Sequence, residues 1–354
     1  MAERVRLAFL GIDNPHGFSW RELLRQFADE IEITALVPGF GGATASLEES
    51  LADLPRFDTV DELIANGAFD AAVVCLPNDA GPAAVARLAE AGKHVLAEKP
   101  AAACADTFRP AAERLGEAEV AFQSGYMWRY DECADRLRQM VADGRFGKLI
   151  STEITFVTSD VRRRGPDHYL FDPNVSGAGF FNWLGCHQLD LIFYILQQPI
   201  VGVTARVGVF GGTDCQVEDG GTIVLDLADG GLVTFVGGYW LPRWAGESRW
   251  CIRGTERWVH WDPVRKGTAG VLDIHGPMPQ WFAMEETFET TAEPCPGYGG
   301  HLGRAVIRDW LDAMASPGSV CRNTPGSTQA TLELLDAVYR SSREERRVEC
   351  DIRI

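Results

Sequence analysis

No Cys-x-x-Cys pair occurs in this chain of 354 residues, and its nine cysteines are odd in number and widely scattered. That pattern speaks against a disulfide framework and against a cysteine zinc site, and it predicts a reducing, cytoplasmic setting. No cluster with metal-ligand spacing stands out, so no metal is expected. No stretch approaches the ~18 uninterrupted apolar residues of a membrane helix. The first ten residues have no long apolar core and read as an opening strand, not a signal peptide. Positive charge is scarce: 33 Lys+Arg stand against 50 Asp+Glu, a formal charge of −17. Such a field repels phosphate backbones and anionic lipid, which excludes nucleic acid and membrane surfaces as expected partners. The only tight basic cluster is Arg162-Arg163-Arg164. Internal repeats and low-complexity segments are absent.

What is there is ordinary globular composition, 46% hydrophobic and 23% charged, in a chain long enough for two or three domains. Short apolar runs at Val5–Leu10, Ile31–Val37, Phe69–Leu76, His94–Ala97 and Val120–Gln123 alternate with helical spacing at Trp20–Phe27, Val60–Ala65, Ala83–Ala91 and Thr107–Leu115. Strand-helix alternation predicts βαβ units on a doubly wound parallel sheet, an α/β domain over residues 1–125. After Tyr126 the rhythm changes. A charged helix (Asp131–Ala142), a strand (Lys148–Val157) and an apolar helix (Phe180–Leu196) precede strands divided by turns such as Glu218-Asp219-Gly220-Gly221. Residues 126–354 therefore predict an α+β domain on a large, mainly antiparallel open sheet.

The first strand-to-helix turn reads Gly11-Ile12-Asp13-Asn14-Pro15-His16-Gly17. A dinucleotide fingerprint, G-x-G-x-x-G, would let pyrophosphate approach backbone N–H groups at a helix start. Here only Gly11 is in register, and Asp13 and His16 hold the second and third places. Asn14 is the expected N-cap and Pro15 the expected first helical residue. A carboxylate at Asp13 is an awkward neighbour for pyrophosphate. The second strand ends in Val37-Pro38-Gly39-Phe40, with neither an acid to select NAD nor an arginine to welcome the phosphate of NADP. Thr44 and Ser46 suit either cofactor.

The pair Leu76-Pro77-Asn78 and Gly92-Lys93-His94-Val95-Leu96-Ala97-Glu98-Lys99-Pro100 resembles the Gfo/Idh/MocA oxidoreductase family. The likeness continues through Gly125-Tyr126-Met127-Trp128-Arg129-Tyr130, the Gly-Lys-Leu strand entry at 147–149, His187-x-x-Asp190 and Ala337-Val338-Tyr339-Arg340-Ser341, essentially the whole chain. It implies a Rossmann domain followed by a sheet domain that binds substrate and assembles homodimers or homotetramers. It also implies NAD or NADP as cofactor, and a sugar, polyol or sugar derivative as substrate. On this resemblance Gly11, Asp13, Asn14, His16, Pro77, Asn78, Glu98 and Lys99 line the nucleotide site. Removing hydride from an alcohol needs a base for the hydroxyl proton and a cation for the developing alkoxide. Lys99, before a proline expected to be cis, is the cation, and His187 is the base. Asp190, one turn on, either orients the imidazole or is a structural carboxylate.

One departure stands out. Where relatives carry an aspartate four residues before the histidine, this chain has Trp183, preceded by Asn182. Asp172 or Asp167 is a substitute, and Trp183 is either a sugar-stacking wall or core. Trp128, Arg129, His168, Tyr169, Asp172 and Trp183 are the expected substrate contacts, with Arg162–Arg164 on the same loop. Six tryptophans of the second domain, Trp240, Trp244, Trp250, Trp258, Trp261 and Trp281, are expected at a subunit interface or against sugar rings. Two other functions fit the same motifs: a glycoside-cleaving relative with tightly held NAD and no net redox change, and a regulatory protein that binds nucleotide or sugar without catalysis.

Overall fold

The computed structural model describes residues 4–14, 16–40, 49–168, 171–212, 214–242, 245–264, 270–278, 281, 283–316 and 318–354. Pro15, Thr44, Ser46, Tyr169 and Trp244 lie outside them. By contact density the chain forms two units, Met1–Met127 with Pro294–Gln329, and Trp128–Glu293 with Ala330–Ile354.

The first unit holds strands β1 (Val5–Leu10), β2 (Ile31–Val37), β3 (Ala71–Val74), β4 (His94–Ala97) and β5 (Phe122–Ser124). All pair parallel in the order β2-β1-β3-β4-β5. Helices α1 (Gly17–Leu24), α2 (Glu49–Ala52), α3 (Val60–Asn66), α4 (Gly81–Glu90) and α5 (Ala105–Glu117) connect them. Strands β3 and β4 are short and apolar because a parallel sheet is covered on both faces. Register matters more for function than length. Val37, Leu10, Val74, Ala97 and Ser124 lie abreast in one row, so Pro38, Gly11, Cys75, Glu98 and Gly125 leave the sheet along one edge. Backbone bonds from Gly11 N to Val37 O, Cys75 N to Leu10 O, Glu98 N to Val74 O and Gly125 N to Ala97 O carry the ladder past that row.

Among the described residues the second unit is built on nine strands: β6 (Leu149–Ser159), β7 (Ile200–Gly208), β8 (Gly220–Leu227), β9 (Leu232–Leu241), β10 (Gly246–Gly254), β11 (Trp258–Asp262), β12 (Gly270–His275), β13 (Met284–Thr290) and β14 (Val348–Ile352). Their order is β13-β12-β11-β10-β6-β9-β8-β7-β14, antiparallel except for the β6–β9 pair. On one face Trp250, Trp261, Ile154 and Ile274 are buried, and the Trp250 indole N–H donates to Gln188 Oε1 at 2.7 Å. Trp250 and Trp261 are therefore core, not interface. Trp258 stacks on His275 at 4.7 Å, and among the described tryptophans only Trp281 is nearly fully exposed.

The second unit's helices include α6 (Glu132–Ala142), the short α7 (Pro173–Ser176) and α8 (Cys186–Leu196), which follows a π-turn over Phe181–Gly185. Every residue of α8 is buried, which is why, apart from His187, Gln188 and Asp190, it reads apolar on all sides. Helices α9 (His301–Ala315) and α10 (Pro325–Glu344) complete the chain. No helix among the described residues is long and apolar enough to cross a membrane.

Candidate functional site

The strand-edge row of the first unit gathers most of the residues expected to hold a nucleotide. Gly11 has φ +74°, and a Cβ there would stand 2.3 Å from the Cys75 carbonyl oxygen. Only bare backbone fits between these two loops. Asn14 is buried and joins them, donating from Nδ2 to Cys75 O at 2.7 Å. Its Oδ1 accepts the His16 N–H at 2.7 Å, an Asx turn that delays the helix. Helix α1 begins at Gly17 with His16 in the N-cap place, so Asn14 is not the cap that the sequence suggested.

Asp13 also turns out differently from expectation. Its two carboxylate oxygens accept the N–H groups of Gly39 and Phe40, at 2.7 and 2.9 Å. The charge that looked hostile to pyrophosphate is engaged in holding the loop after β2. Beside this clamp lies a cavity of about 380 Å³, lined among others by Val37, Gly39, Asp58, Asp61, Pro77 and Arg87. Arg87 is already paired with Asp61 and Glu90. Pro77 O accepts the Ala80 and Gly81 N–H groups at the head of α4, and Asn78 O accepts from Ala103.

Glu98 and Lys99 follow β4, and the Lys99-Pro100 peptide is cis as expected. Both side chains are almost wholly buried, Glu98 at 7% exposure and Lys99 at 2%. Glu98 Oε2 accepts the Trp20 indole N–H at 2.6 Å, and Trp20 stacks on Tyr298 at 4.2 Å. Glu98 Oε1 has no hydrogen-bond partner among the described residues. It lies 3.9 Å from Lys99 Nζ and 3.8 Å from His16 Nδ1. Gly125 closes the group: a Cβ there would come 3.2 Å from Glu98 Oε2 and from the Tyr298 hydroxyl, which donates to Gly125 O. Sequence reading missed Trp20 and Tyr298, because neither belongs to a motif and Tyr298 returns from far along the chain.

In the second unit His187 is 4% exposed on the first turn of α8. The preceding π-turn takes one residue more than an α-turn, so Asn182 as well as Trp183 stands about one turn before the histidine. Asn182 is buried, and its Nδ2 donates to Ser176 O at 2.7 Å. Its Oδ1 has no partner among the described residues. Trp183 is 6% exposed. Glu218 secures the start of this helical segment: its carboxylate accepts from Gly179 N, Phe181 N and the Tyr339 hydroxyl, at 2.7, 3.1 and 2.8 Å. Burial pushes the Glu218 carboxyl above its ordinary range. The sequence had offered Glu218 only as part of a glycine-rich turn.

Asp190 and Arg129 meet each other. The guanidinium donates to both carboxylate oxygens at 2.8 Å, and the Thr331 hydroxyl adds a bond at 3.3 Å. Burial pushes the Asp190 carboxyl up while Arg129 pulls the other way. The pair is sealed, with 1% and 4% side-chain exposure. Trp128 is half-buried just before it. Asp131, buried, caps α6 by accepting from Cys133 N at 2.8 Å and Ala134 N at 3.1 Å. His168 packs on Phe171 at 6.3 Å, and Asp172 O accepts from the Ser176 amide and hydroxyl. Asp167 is exposed. No group of three or more potential metal ligands occurs among the described residues.

Comparison with known proteins settles the family. A model described as "Oxidoreductase family, NAD-binding Rossmann fold" matches residues 6–126, and one for the GFO/IDH/MocA C-terminal domain matches residues 134–260. The chain belongs to the Gfo/Idh/MocA family. Its first unit is thus an NAD-binding Rossmann domain, and a bare-backbone turn ahead of α1 with an adjacent cavity fits that group. Inositol 2-dehydrogenase of Rhizobium meliloti is 28% identical over 49% of this chain and 51% of that protein. Inositol 2-dehydrogenase 1 of Saccharopolyspora erythraea is 30% identical over 49% of each chain. The chain thus spans about half the length of these curated relatives. A levoglucosan dehydrogenase solved with NADH superposes with a TM-score of 0.81, covering 99% of this chain and 100% of that one at 15% identity. The aldose-aldose oxidoreductase of Caulobacter crescentus gives 0.76 over 98% and 100% at 21% identity. At such identities the likeness is one of fold.

Proposed function

We propose that this member of the family is an NAD(P)-dependent oxidoreductase that moves a hydride between the cofactor and a sugar, polyol or sugar derivative. The observation that carries the reading is the buried Glu98–Lys99 pair on the same strand edge as the Gly11 turn. A buried charge is tolerated when it is paired, and this pair sets an ammonium at the strand edge where doubly wound sheets receive their ligands. The nicotinamide, when bound, supplies the hydride acceptor or donor. Gly11, Asn14, His16, Pro77, Asn78 and Glu98 shape its site, and Asp13 acts indirectly by holding the Gly39–Phe40 loop.

Lys99 Nζ is the first unit's cation for negative charge developing on a reacting oxygen, and a ring nitrogen of His187 is the second unit's candidate base. Asp190 acts in this scheme through Arg129, as the fixed base of the α8 segment, because its carboxylate is bound to the guanidinium. Arg129 is correspondingly a structural cation more than a substrate contact. The cavity beside Gly39 has Asp58 and Asp61 in its wall and no unpaired arginine among its lining residues, which favours the ribose hydroxyls of NAD over the phosphate of NADP.

Thermal shift with NAD, NADP and their reduced forms is the first test. A ligand at ~100 Kd stabilises by about 2.7 kcal/mol, and NAD is expected to shift the transition more than NADP. Lys99→Ala is expected to lower kcat about 10²-fold to 10³-fold while leaving that shift in place. No shift with any of the four nucleotides, or full turnover by the variant, refutes the reading.

A further inference from the structure

In a chain with 50 acidic and 33 basic residues, many arginines find a carboxylate. Arg4, Arg6, Arg87, Arg114, Arg308 and Arg347 all do so even at the surface. Arg162 and Arg164, like Arg206, Arg249 and Arg340, make no such pair among the described residues. Neither Arg162 nor Arg164 forms a hydrogen bond with a described carboxylate, although Asp160 and Asp167 stand within a few positions on the same strap. The carboxylate of Asp160 instead accepts the Arg163 N–H, closing a 3-10 turn over Val161–Arg163. The strap is therefore built without the side chains of Arg162 and Arg164.

Arg164 is the more telling of the two. Its Nη1 is buried with no hydrogen-bond partner among the described residues, and its guanidinium lies over the Tyr239 ring at 5.6 Å. A buried, unsatisfied guanidinium nitrogen is expensive, and a neighbouring like charge makes it more so. Arg163 feels that charge: burial and Arg164 together hold its basicity below the ordinary value. Such a cluster persists where an anion completes it. Its location is informative as well. Tyr239 packs edge-on against Phe180 at 5.2 Å and Phe171 at 5.5 Å. Phe180 is the residue that enters the π-turn leading to Trp183 and His187. One aromatic layer thus underlies both the arginine strap and the start of the His187 helix.

We infer that the substrate carries an anionic group, a carboxylate or a phosphate monoester on a sugar or polyol, which Arg164 and Arg162 bind. Both groups present oxygens that match the guanidinium fork, and a charged hydrogen bond in a partly dry site discriminates strongly against a neutral hydroxymethyl group. This inference rests on the proposed oxidoreductase function for its placement near His187, but its binding test does not depend on turnover.

The test compares matched ligands: glucose, glucuronate and glucose 6-phosphate, with the galactose series alongside. Binding is measured by calorimetry on the NADH-loaded protein, and turnover by nicotinamide absorbance. The expected result is tighter binding of an anionic member over its neutral partner by about 10-fold to 100-fold, weakening as salt rises. Preference for glucuronate identifies a carboxylate, and preference for glucose 6-phosphate a phosphate. Arg164→Gln and Arg162→Gln are each expected to cut the anionic-to-neutral ratio by about 10-fold, while Arg164→Lys retains part of it. Arg162 is exposed, so its variant keeps the test valid should Arg164→Gln fold poorly. Equal binding of neutral and anionic ligands, no binding of either, or a ratio unchanged in both variants overturns the inference. Anion preference in binding without turnover of any ligand would overturn the oxidoreductase reading alone.

Discussion

Replacing Asp131 by Asn is expected to make the protein more stable at neutral pH and to remove a specific pH dependence. Asp131 is 2% exposed and caps α6 immediately after the segment that carries Arg129. Burial, only partly offset by bonds from the Ala134 and Cys133 amides, raises its pKa to about 6. In the unfolded chain the value is about 3.9. The folded state therefore holds the proton more tightly than the unfolded state does. Its contribution is complete below pH ~4 and is lost as pH rises through ~6. A difference of about 2 units at 1.36 kcal/mol each is about 3 kcal/mol. Asn keeps an oxygen acceptor suited to the N-cap and carries no charge to desolvate. The assay is denaturant or thermal unfolding of both proteins at intervals from pH 4 to pH 8. Stability of the wild type relative to Asp131→Asn should fall by about 3 kcal/mol across that range. Carboxylates held low by arginines, such as Asp70 and Glu285, have the opposite slope and cancel in the difference. Parallel curves, or a wild type that gains on the variant with rising pH, would refute the assignment of a buried, reluctantly ionised cap.

The Arg129–Asp190 pair gives a second expectation. Asp190→Asn leaves a buried guanidinium without its countercharge and should cost about 3–5 kcal/mol in unfolding free energy. A catalytic carboxylate would instead lose kcat with little change in stability, so measuring both separates the two roles. Gly11→Ala forces a side chain into a φ of +74° and onto the Cys75 carbonyl. It should weaken nucleotide binding at least 10-fold, read by NADH fluorescence, beyond the ~1–2 kcal/mol that the left-handed conformation itself costs. Unaltered affinity would show that this turn is not part of the nucleotide site.

Local rules account for much of the architecture. The five parallel strands and their helices follow from runs such as Ala71–Val74 and His94–Ala97, because strands covered on both faces have little choice but apolar residues. The β6–β9 pairing, parallel within an otherwise antiparallel sheet, left no trace in the sequence, since alternation along a strand is blind to the direction of its neighbour. Helix starts were harder. Asn14 has the chemistry of an N-cap and spends it on an Asx turn instead. Trp250 and Trp261 looked like surface aromatics because a large sheet was expected to be open, yet their face is the covered one.

The residues that escaped sequence reading share a cause: their partners are distant in the chain. Arg129 and Asp190 were assigned separate roles because nothing local shows that they neutralise each other. Glu218 was absorbed into a turn although Tyr339, far downstream, helps to hold it at the start of the His187 segment. Asp13 is the sharpest case. As a bare charge in a phosphate-binding turn it argued against a dinucleotide, and the sequence offered no reason to discount it. Two backbone N–H groups from the loop after β2 supply the reason. A carboxylate so bonded is directed toward the loop, and the turn beside it keeps the bare Gly11 backbone that a phosphate requires. Whether a charge opposes or supports a ligand is decided by where its hydrogen bonds go, and residue type alone does not carry that information.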